Sequence, residues 1–259
     1  MTKLRRRWPR PAYALRQWIP LAALVLGWQL LSMSGLVPGF MLPSPLRVSH
    51  AFAADFSLLL RHMWRTLFQA LCGLALAVSA AFILAIAMDI SRLLKESLSP
   101  LLLLTQTMPT IAIAPLHILW MGYGMAPKIT LVFLVCFFPM TIGLTGAFER
   151  ADGDAIRLLQ SMGGTRWHVY RFVKIPQALP AFFSGLKIAG SYSIIGAVIA
   201  EWLGGDAGLG VYMIRVRRSY SFDRMFAAIL LTSLLSIILI KLIAHIERAV
   251  MPWHRGGYQ

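Results

Sequence analysis

The chain has 259 residues, of which 58% are hydrophobic and 14% are charged, and its mean hydropathy is +0.68. Soluble domains carry about 25% charged residues, so this composition excludes an ordinary soluble protein and a disordered chain. In so apolar a chain, the net charge of +15 indicates cytoplasmic loops rich in Lys and Arg rather than nucleic-acid binding. We therefore predict an all-α integral membrane protein, because helices satisfy their own backbone hydrogen bonds in lipid.

Apolar stretches long enough to cross a bilayer, which takes about 20 residues per helix, recur along the chain. Six of them lie at residues 18–36, 66–90, 98–121, 128–148, 180–202 and 225–245. Residues 1–17 are basic, and the distribution of Lys and Arg over the connecting segments places both termini in the cytoplasm. No internal repeat divides the chain, so residues 18–259 are expected to form one transmembrane domain of about six helices.

The first apolar stretch is interpreted as a retained helix rather than a cleaved secretory signal. The small-residue pattern at Ala51 and Ala53 lies beyond three prolines, too far from the apolar run for cleavage. Residues 46–65 have apolar side chains near helical spacing and are predicted to form a short interfacial helix. Cys72 and Cys136 both lie in apolar runs, so no disulfide framework is expected.

Few polar side chains lie within the second and third stretches. Asp89, near the inner end of the second, is expected to be an interfacial residue with a basic neighbour, since Arg92 follows it. In the third stretch, Pro109 and Pro115 are expected to kink the helix and free backbone carbonyls. His117 therefore has two open interpretations: it faces a solute pathway, or it hydrogen-bonds one of those carbonyls.

The longest inner connection, residues 149–178, predicts two short helices around a glycine break. Asp152 or Asp154 can cap the first helix, and Thr165 can cap the second. The glycine pair 163–164 supplies the tight or left-handed conformation that ends the first helix. A plain connector rarely needs two caps, a double glycine and exposed aromatic side chains over such a length. We interpret this loop as a docking surface for a cytoplasmic partner, with Pro176 and Pro180 expected to fix the re-entry of the chain into the membrane.

The fifth stretch combines small residues with an acidic end. Its small side chains recur at helical spacing and indicate a packing or dimer seam, with pathway lining as the alternative: Gly185, Ala189, Ser193, Gly196 and Ala200. Lys187 is expected to extend to the membrane surface. Glu201 either lines an outer gate or pairs with Arg215 or Arg218. Segment 203–224 is basic although it is assigned to the outer side, so it is expected to be partly re-entrant or to lie along the interface. The candidate pathway or gate residues are His117, Ser193, Gly196 and Glu201.

The inner loop resembles the cytoplasmic loop of permease subunits of binding-protein-dependent ABC importers. In that family, Glu-Ala-Ala is followed by three residues, a glycine, nine residues and Ile-x-Leu-Pro. The second half matches here in spacing and chemistry: Gly163, then Val173, Lys174, Ile175 and Pro176. The Glu-Ala-Ala positions are instead occupied by Arg157, Leu158 and Leu159, so the carboxylate of the family pattern is missing.

Other segments resemble one branch of this family, which imports sulfonates, taurine, nitrate or bicarbonate, and pyrimidine precursors of thiamine. The segments are residues 43–45, 106–109, 114–116, 119–124, 127–128, 137–139, 184–187, 200–202 and 208–210. Residues 201–202, 208–213 and 223–228 are most similar to the thiamine-precursor members. The resemblance thus implies import of a pyrimidine, with sulfonate, taurine or nitrate as the alternative.

The resemblance implies a type I importer permease in the bacterial inner membrane that works as a pair of copies. Each pair would sit on two ATP-binding subunits and receive solute from a periplasmic or lipoprotein binding protein. ATP and Mg would be held by the partner, with no catalytic, cofactor or metal site and no enzyme activity in this chain. The second loop helix, 165–172, would insert into a cleft of the ATPase. The implied coupling residues are Arg157, Leu158, Leu159, Gly163, Gly164, Thr165, Arg166, Trp167, Val173, Ile175 and Pro176.

Two other classes of function remain as alternatives. A membrane-embedded enzyme would need paired acids or metal ligands within the spans, and the sequence shows neither a hydrolase nor a metalloprotease motif. A stand-alone channel or secondary transporter typically shows intramembrane charges or repeated broken helices. The sequence also lacks the phosphate-loop motif of an ATP-binding subunit. The importer permease is therefore the preferred prediction.

Overall fold

The computed structural model describes residues 10–107 and 109–253, with side chains from residue 19 onward except at 110 and 111. Arg5, Arg6, Arg7, Met108 and Arg255, which enter the sequence predictions, lie outside the described residues. Over the described ranges the secondary structure is helical, without strands. In chain order the helices are α1 (Arg10–Met33), α2 (Pro45–Ala54), α3 (Phe56–Ile90), α4 (Arg92–Thr107), α5 (Thr110–Met121), α6 (Ala126–Glu149), α7 (Gly153–Ser161), α8 (Arg166–Val169), a π-helical turn (Tyr170–Lys174), α9 (Ile175–Gly204), α10 (Leu209–Arg218) and α11 (Phe222–Val250).

Four continuous helices are long and apolar enough to cross a membrane. They are Phe56–Ile90, Ala126–Glu149, Arg166–Gly204 and Phe222–Val250. A fifth span results if α4 and α5 are counted together, although they meet at a bend of 107°. Within α1, the segment Ile19–Met33, whose side chains are described, is also apolar. The prediction of an all-helical membrane protein is confirmed, with four or five spans in the described chain.

The third predicted stretch, 98–121, was expected to be one kinked helix, and this expectation is wrong. The chain breaks between Thr107 and Thr110, and the helices on the two sides run at a steep angle. Pro109 is the N-cap residue of α5. Because proline has no N–H and restricts the residue before it, α4 ends here rather than bending smoothly.

The predicted interfacial helix over 46–65 is also wrong in extent. The short helix α2 ends at Ala54, and α3 begins at Phe56, ahead of the predicted start of the second span. Asp55 lies at the junction, where its carboxylate accepts a hydrogen bond from Tyr212 Oη at 2.6 Å and pairs with Arg224 at 3.3 Å. The chain turns at this point because the carboxylate is held by α10 and α11.

Helices α3, α6 and α9 form the centre of the bundle, and α11 packs on α9. Small residues let α3 and α6 approach closely. Ala77, Ala81 and Ala85 are fully buried, and a Cβ atom added at Gly73 would lie 2.5 Å from a Val132 methyl carbon. Both cysteines are free thiols, as predicted.

Helix α9 begins beside a proline and continues from the preceding loop without interruption. Pro176 lies in its first turn and Pro180 lies inside it, and the helical chain runs continuously over 39 residues, Arg166–Gly204. The π-helical turn lies directly before Pro176, and in it the Ile175 N–H donates to Tyr170 O, five residues earlier. This wider turn accommodates the proline without ending the helix.

Candidate functional sites at the two ends of the bundle

The loop 149–178 begins with a capped helix. Asp152 is the N-cap of α7, and its carboxylate accepts from the N–H groups of Asp154 at 2.9 Å and Ala155 at 3.3 Å. Asp154 instead pairs with Arg157 on the exposed face of α7. The Asp152 N–H donates to Gln177 Oε1 at 2.8 Å, which joins the start of the loop to α9. The sequence did not distinguish Asp152 from Asp154 as the N-cap residue, and the structure shows that Asp152 caps the helix.

Both glycines that end α7 are required by the local geometry. Gly163 has a φ of +83°, a left-handed conformation that side chains resist. At Gly164, an added Cβ atom would lie 2.6 Å from Leu159 O. The predicted glycine break is confirmed, and the two residues act by different physical means.

The second loop helix, α8, is capped by Thr165, as predicted. The Thr165 N–H donates to His168 Nδ1 at 3.1 Å, and Thr165 Oγ1 lies 2.8 Å from the same nitrogen. The His168 ring also stacks on Phe172, with centroids 6.1 Å apart and an interplanar angle of 7°. Because this short helix continues through the π-helical turn into α9, its orientation is fixed relative to the membrane bundle.

The outer faces of α7, α8 and the π-helical turn present large apolar side chains to solvent. Trp167 is 68% exposed. We call this exposed group the loop apolar patch: Leu158, Met162, Trp167 and Phe172. Arg157 and Arg166 are exposed beside it.

The remaining predicted coupling residues face inward. Val173 is buried, whereas Leu159, Ile175 and Pro176 are half-buried. The second half of the family pattern therefore packs the loop onto the bundle, and the loop apolar patch remains as its outward surface.

A largely buried ion pair fastens this loop to the end of α3 at Asp89. Lys174 Nζ lies 2.6 Å from Asp89 Oδ2, and the Tyr170 hydroxyl donates to the same oxygen. Asp89 does have a basic neighbour, as expected, but the partner is Lys174 rather than Arg92, which pairs with Glu96. We call the three residues Asp89, Tyr170 and Lys174 the inner clamp.

Two further ion pairs join helices at the same end of the bundle. Lys95 of α4 lies 2.9 Å from Glu149 of α6. Lys187 of α9, expected to extend freely to the membrane surface, lies 2.5 Å from Glu247 of α11. At this end of the bundle, α4 is thus joined to α6, and α9 to α11, by ion pairs.

At the opposite end, Glu201 is 1% exposed and lies under the turn that follows α9. Its carboxylate accepts from Thr66 Oγ1 at 2.9 Å and from the Gly210 N–H at 2.8 Å. Thr66 Oγ1 accepts in turn from the Leu209 N–H at 2.8 Å, and the Gly208 N–H donates to His62 Nδ1 at 2.9 Å. This network fastens the turn 205–210 to α3.

The two sequence interpretations of Glu201 need correction. Within residues 10–107 and 109–253 the carboxylate forms no ion pair with Arg215 or Arg218, and Arg215 donates to Asp206 O at 2.9 Å instead. Glu201 is also enclosed rather than open to a pathway. Gly208, with a φ of +131°, leaves no room for a Cβ atom against the carboxylate, which explains the glycine-rich turn.

Ser193 and Gly196 are buried in the interior of this single chain. The Ser193 hydroxyl donates to Gly190 O of its own helix at 2.8 Å. The small-residue face of α9 packs on α6: Gly185 lies next to Met140, Gly196 next to Val132, and the Cys136 thiol donates to Ala189 O. Of the alternatives predicted for this face, the structure shows packing within the chain.

His117 contacts a backbone carbonyl, which was the second of its two predicted interpretations, but the carbonyl is a different one from those expected. Its Nδ1 lies 3.1 Å from Ile113 O, and its ring lies 6.0 Å from that of Trp120. The acceptor is the helical carbonyl one turn earlier, rather than one of the carbonyls freed by the prolines. The side chain is buried, so it is satisfied inside the bundle.

The segment after α9 is a short helix rather than a span. α10 has ten residues, about 15 Å of helix, and it buries one face against α9 and α11. The neighbouring Asp206 is exposed, and its pKa is lowered by a hydrogen bond from its own backbone N–H and by the Lys128 ammonium. His62 and Thr66 were missed by sequence reasoning because they lie far from Glu201 along the chain.

Comparison with known proteins identifies the class. The sequence profile described as "Binding-protein-dependent transport system inner membrane component" matches residues 53–252. The chain therefore belongs to this family of ABC importer permeases. Over the described residues, no group of three or more His, Cys, Asp or Glu side chains is placed to hold a metal ion.

Relatives and solved structures agree with this assignment. The "Probable ABC transporter permease protein" of Haemophilus influenzae is 35% identical, over 87% of this chain and 92% of its own length. The "Formylaminopyrimidine transport permease protein ThiX" of Halalkalibacterium halodurans is 32% identical, over 83% and 87%. The "Taurine transport system permease protein TauC" of Escherichia coli is 27% identical, over 97% and 94%.

A chain from a crystal structure of the inward-facing MetNI methionine ABC transporter has a TM-score of 0.68. It covers 76% of this chain and 98% of its own length at 18% identity, and it shows a shared fold. This protein is thus the permease subunit of a binding-protein-dependent ABC importer, an integral inner-membrane protein. The family implies a separate ATPase and a substrate-binding protein as partners.

Proposed function

We propose that this chain forms the translocation pathway for a small polar solute and is driven through the loop 149–178 by its ATPase. The observation that supports the driving role is the loop apolar patch. Large apolar side chains in the membrane spans are covered by lipid, but α7 and α8 lie beyond the inner end of the bundle. Large apolar side chains exposed there favour a protein partner.

The patch can bind a cleft of the ATPase without the family carboxylate. Arg157 stands at the first Glu-Ala-Ala position and pairs with Asp154 within α7. Exposed pairs of this kind contribute at most about 1 kcal/mol, so docking rests mainly on Trp167 and Phe172. Buried aromatic side chains dominate binding energy at interfaces in general.

Movement of the docked loop reaches the membrane by two rigid connections. The first is the helix Arg166–Gly204, about 58 Å long at 1.5 Å per residue. The second is the inner clamp, which joins Lys174 to α3. A loop attached at both points turns closure of the ATPase into rocking of α3 and α9 together.

The assembly we propose contains two copies of this chain, two ATP-binding subunits and a binding protein at the membrane face opposite the loop. The Lys and Arg distribution supports cytoplasmic termini. We propose a thiamine-precursor pyrimidine as the solute, supported by the 32% identity to the formylaminopyrimidine permease. A sulfonate, taurine or nitrate is the alternative, supported by relatives with lower identity.

The docking role is tested by purifying the chain in mild detergent and quantifying the ATPase that accompanies it. We expect Trp167→Ala to reduce the bound ATPase several-fold, because an interface aromatic side chain is removed. Leu234→Ala is the matched control, since Leu234 is an exposed apolar residue of α11 within a membrane span. Equal recovery of the ATPase with Trp167→Ala and the unmodified chain would contradict the proposed docking surface.

A further inference from the structure

A cavity lies at the end of the bundle opposite the loop. α3, residues 122–128 and the turn 204–207 surround about 460 Å³. Its walls include the side chains of Arg65, Gln69, Tyr123, Lys128 and Asp206. Gln69 lies about 30 Å before Asp89 along α3 at 1.5 Å per residue, close to the thickness of the hydrocarbon core. The cavity is therefore at the membrane face remote from the ATPase.

Gln69 offers an acceptor that the protein does not use. Its side chain is 2% exposed, and among the described residues its Oε1 atom has no hydrogen-bond partner. Buried polar atoms are nearly always paired. An unpaired acceptor in the wall of a cavity indicates that a donor from outside the chain completes it.

Lys128 offers donors in the same cavity. Its side chain is 4% exposed, and its ammonium lies 3.5 Å from the Asp206 carboxylate, which is 87% exposed. A lysine ammonium has three donors, and this long contact to a solvated carboxylate occupies only one of them. Arg65 adds a second cation to the wall. The cavity thus brings two cationic donors together with an acceptor that has no partner among the described residues.

We infer that this cavity binds a small solute bearing both a hydrogen-bond donor group, such as an amine, and an acceptor or anionic group. The amine donates to Gln69 Oε1, and the acceptor lies against Lys128 and Arg65. The exposed ring of Tyr123 lies at the wall, where it can cover the ligand. Amino-substituted pyrimidines and amino-sulfonates have this combination, whereas nitrate has acceptors only and would leave Gln69 unpaired. The inference rests on the proposed import function and narrows its substrate class.

Matched ligand pairs test the inference on the purified permease–ATPase complex without binding protein. Taurine is compared with ethanesulfonate, and 4-aminopyrimidine with pyrimidine, by equilibrium binding. Within at least one pair, we expect the ligand with the amine to bind about tenfold more tightly or better, because only it satisfies the buried acceptor. Equal affinity within both pairs, or the absence of binding by all four ligands, would overturn the site.

Three variants assign the effect to residues. Gln69→Leu should abolish the preference for the amine, and Lys128→Met should weaken binding of both members of a pair. Gln106→Leu is the control, because Gln106 lines a separate groove between α4, α6 and α9. Retained preference in Gln69→Leu would contradict the assignment.

A stability measurement keeps the test valid if binding is weak. Gln69→Leu should raise the Tm of the ligand-free complex, because an apolar side chain replaces a buried unpaired one. A lowered Tm would show that Gln69 has a partner inside the protein and would also overturn the proposal. Co-purification of the ATPase distinguishes failure of this cavity from failure of the proposed function. If the ATPase co-purifies with the chain but the ligands are not discriminated, only the cavity is rejected. If no ATPase co-purifies, the importer assembly is rejected.

Discussion

Substitution of Gly163 by valine isolates the turn between α7 and α8. An added Cβ atom meets nothing within 4 Å at this position, so the cost is that of the backbone alone. A β-branched residue held at a φ of +83° costs about 1–3 kcal/mol. At about 1.4 kcal/mol per factor of ten, the native turn becomes roughly 5- to 150-fold less favoured.

The matched control is Gly153→Val. Gly153 lies in the first turn of α7, an added Cβ atom there also meets nothing within 4 Å, and its φ is not in the left-handed region. Valine should therefore be tolerated at this position, since ordinary residues differ little in helix propensity. The two variants place the same side chain ten residues apart on the same exposed loop.

Both variants are reconstituted in proteoliposomes with the ATPase and binding protein, and ATP-driven uptake is compared at equal amounts of inserted protein. We expect normal membrane insertion for both, because the spans are untouched. Uptake should fall at least several-fold with Gly163→Val and stay near normal with Gly153→Val. Full uptake with Gly163→Val, or an equal loss with Gly153→Val, would refute the role of this turn.

Three further substitutions test other contacts. Asp89→Asn should uncouple ATP hydrolysis from uptake and cost about 1.5–3 kcal/mol in stability, because it breaks a charged hydrogen bond. The double exchange of Asp89→Lys with Lys174→Asp should recover part of the coupling and part of the stability that each single exchange loses. Strictly additive losses in this double-mutant cycle would contradict the inner clamp. Gly208→Ala should lower the Tm by several degrees, since its Cβ atom meets the buried carboxylate beneath the turn; an unchanged Tm would argue against that packing. Thr66→Val should lower the free energy of unfolding by about 1.5–3 kcal/mol, because it removes two buried hydrogen bonds. The control Thr232→Val should cost much less, since the Thr232 hydroxyl donates only within its own helix. Equal losses of the two variants in denaturant unfolding would be evidence against the hydrogen-bond network around Glu201.

The loop could be predicted from the sequence because its signals are local. A cap such as Asp152, a left-handed glycine such as Gly163 and a cap such as Thr165 act within three or four residues of themselves. Their chemistry is therefore readable along the chain. The apolar spans were predictable for a similar reason, since lipid imposes composition directly on each segment.

One proline misled the prediction of the third span. Pro109 separates two helices where a continuous span was expected, whereas Pro176 lies in the first turn of α9, directly after a π-helical turn. The helical chain stays continuous through the π-helical turn before Pro176, and such a turn has no signal in residue types.

The partners of Glu201 and Asp89 could not be predicted because they are distant in sequence. Thr66 is 135 residues from Glu201, and Lys174 is 85 residues from Asp89. In both cases a nearer basic residue offered a plausible ion pair. Tertiary packing of α3 against α9 and α10 decided the outcome, which neighbouring charges in the sequence do not reveal.

The energy source of uptake distinguishes an ATP-coupled permease from a secondary transporter. Proteoliposomes containing this chain, its ATPase and its binding protein are loaded with either ATP or a non-hydrolysable analogue, with and without an imposed proton gradient. We expect uptake with ATP alone, no uptake with the analogue, and no effect of collapsing the gradient. Uptake driven by the gradient in the absence of ATP hydrolysis would contradict an ATP-coupled permease and favour a secondary transporter.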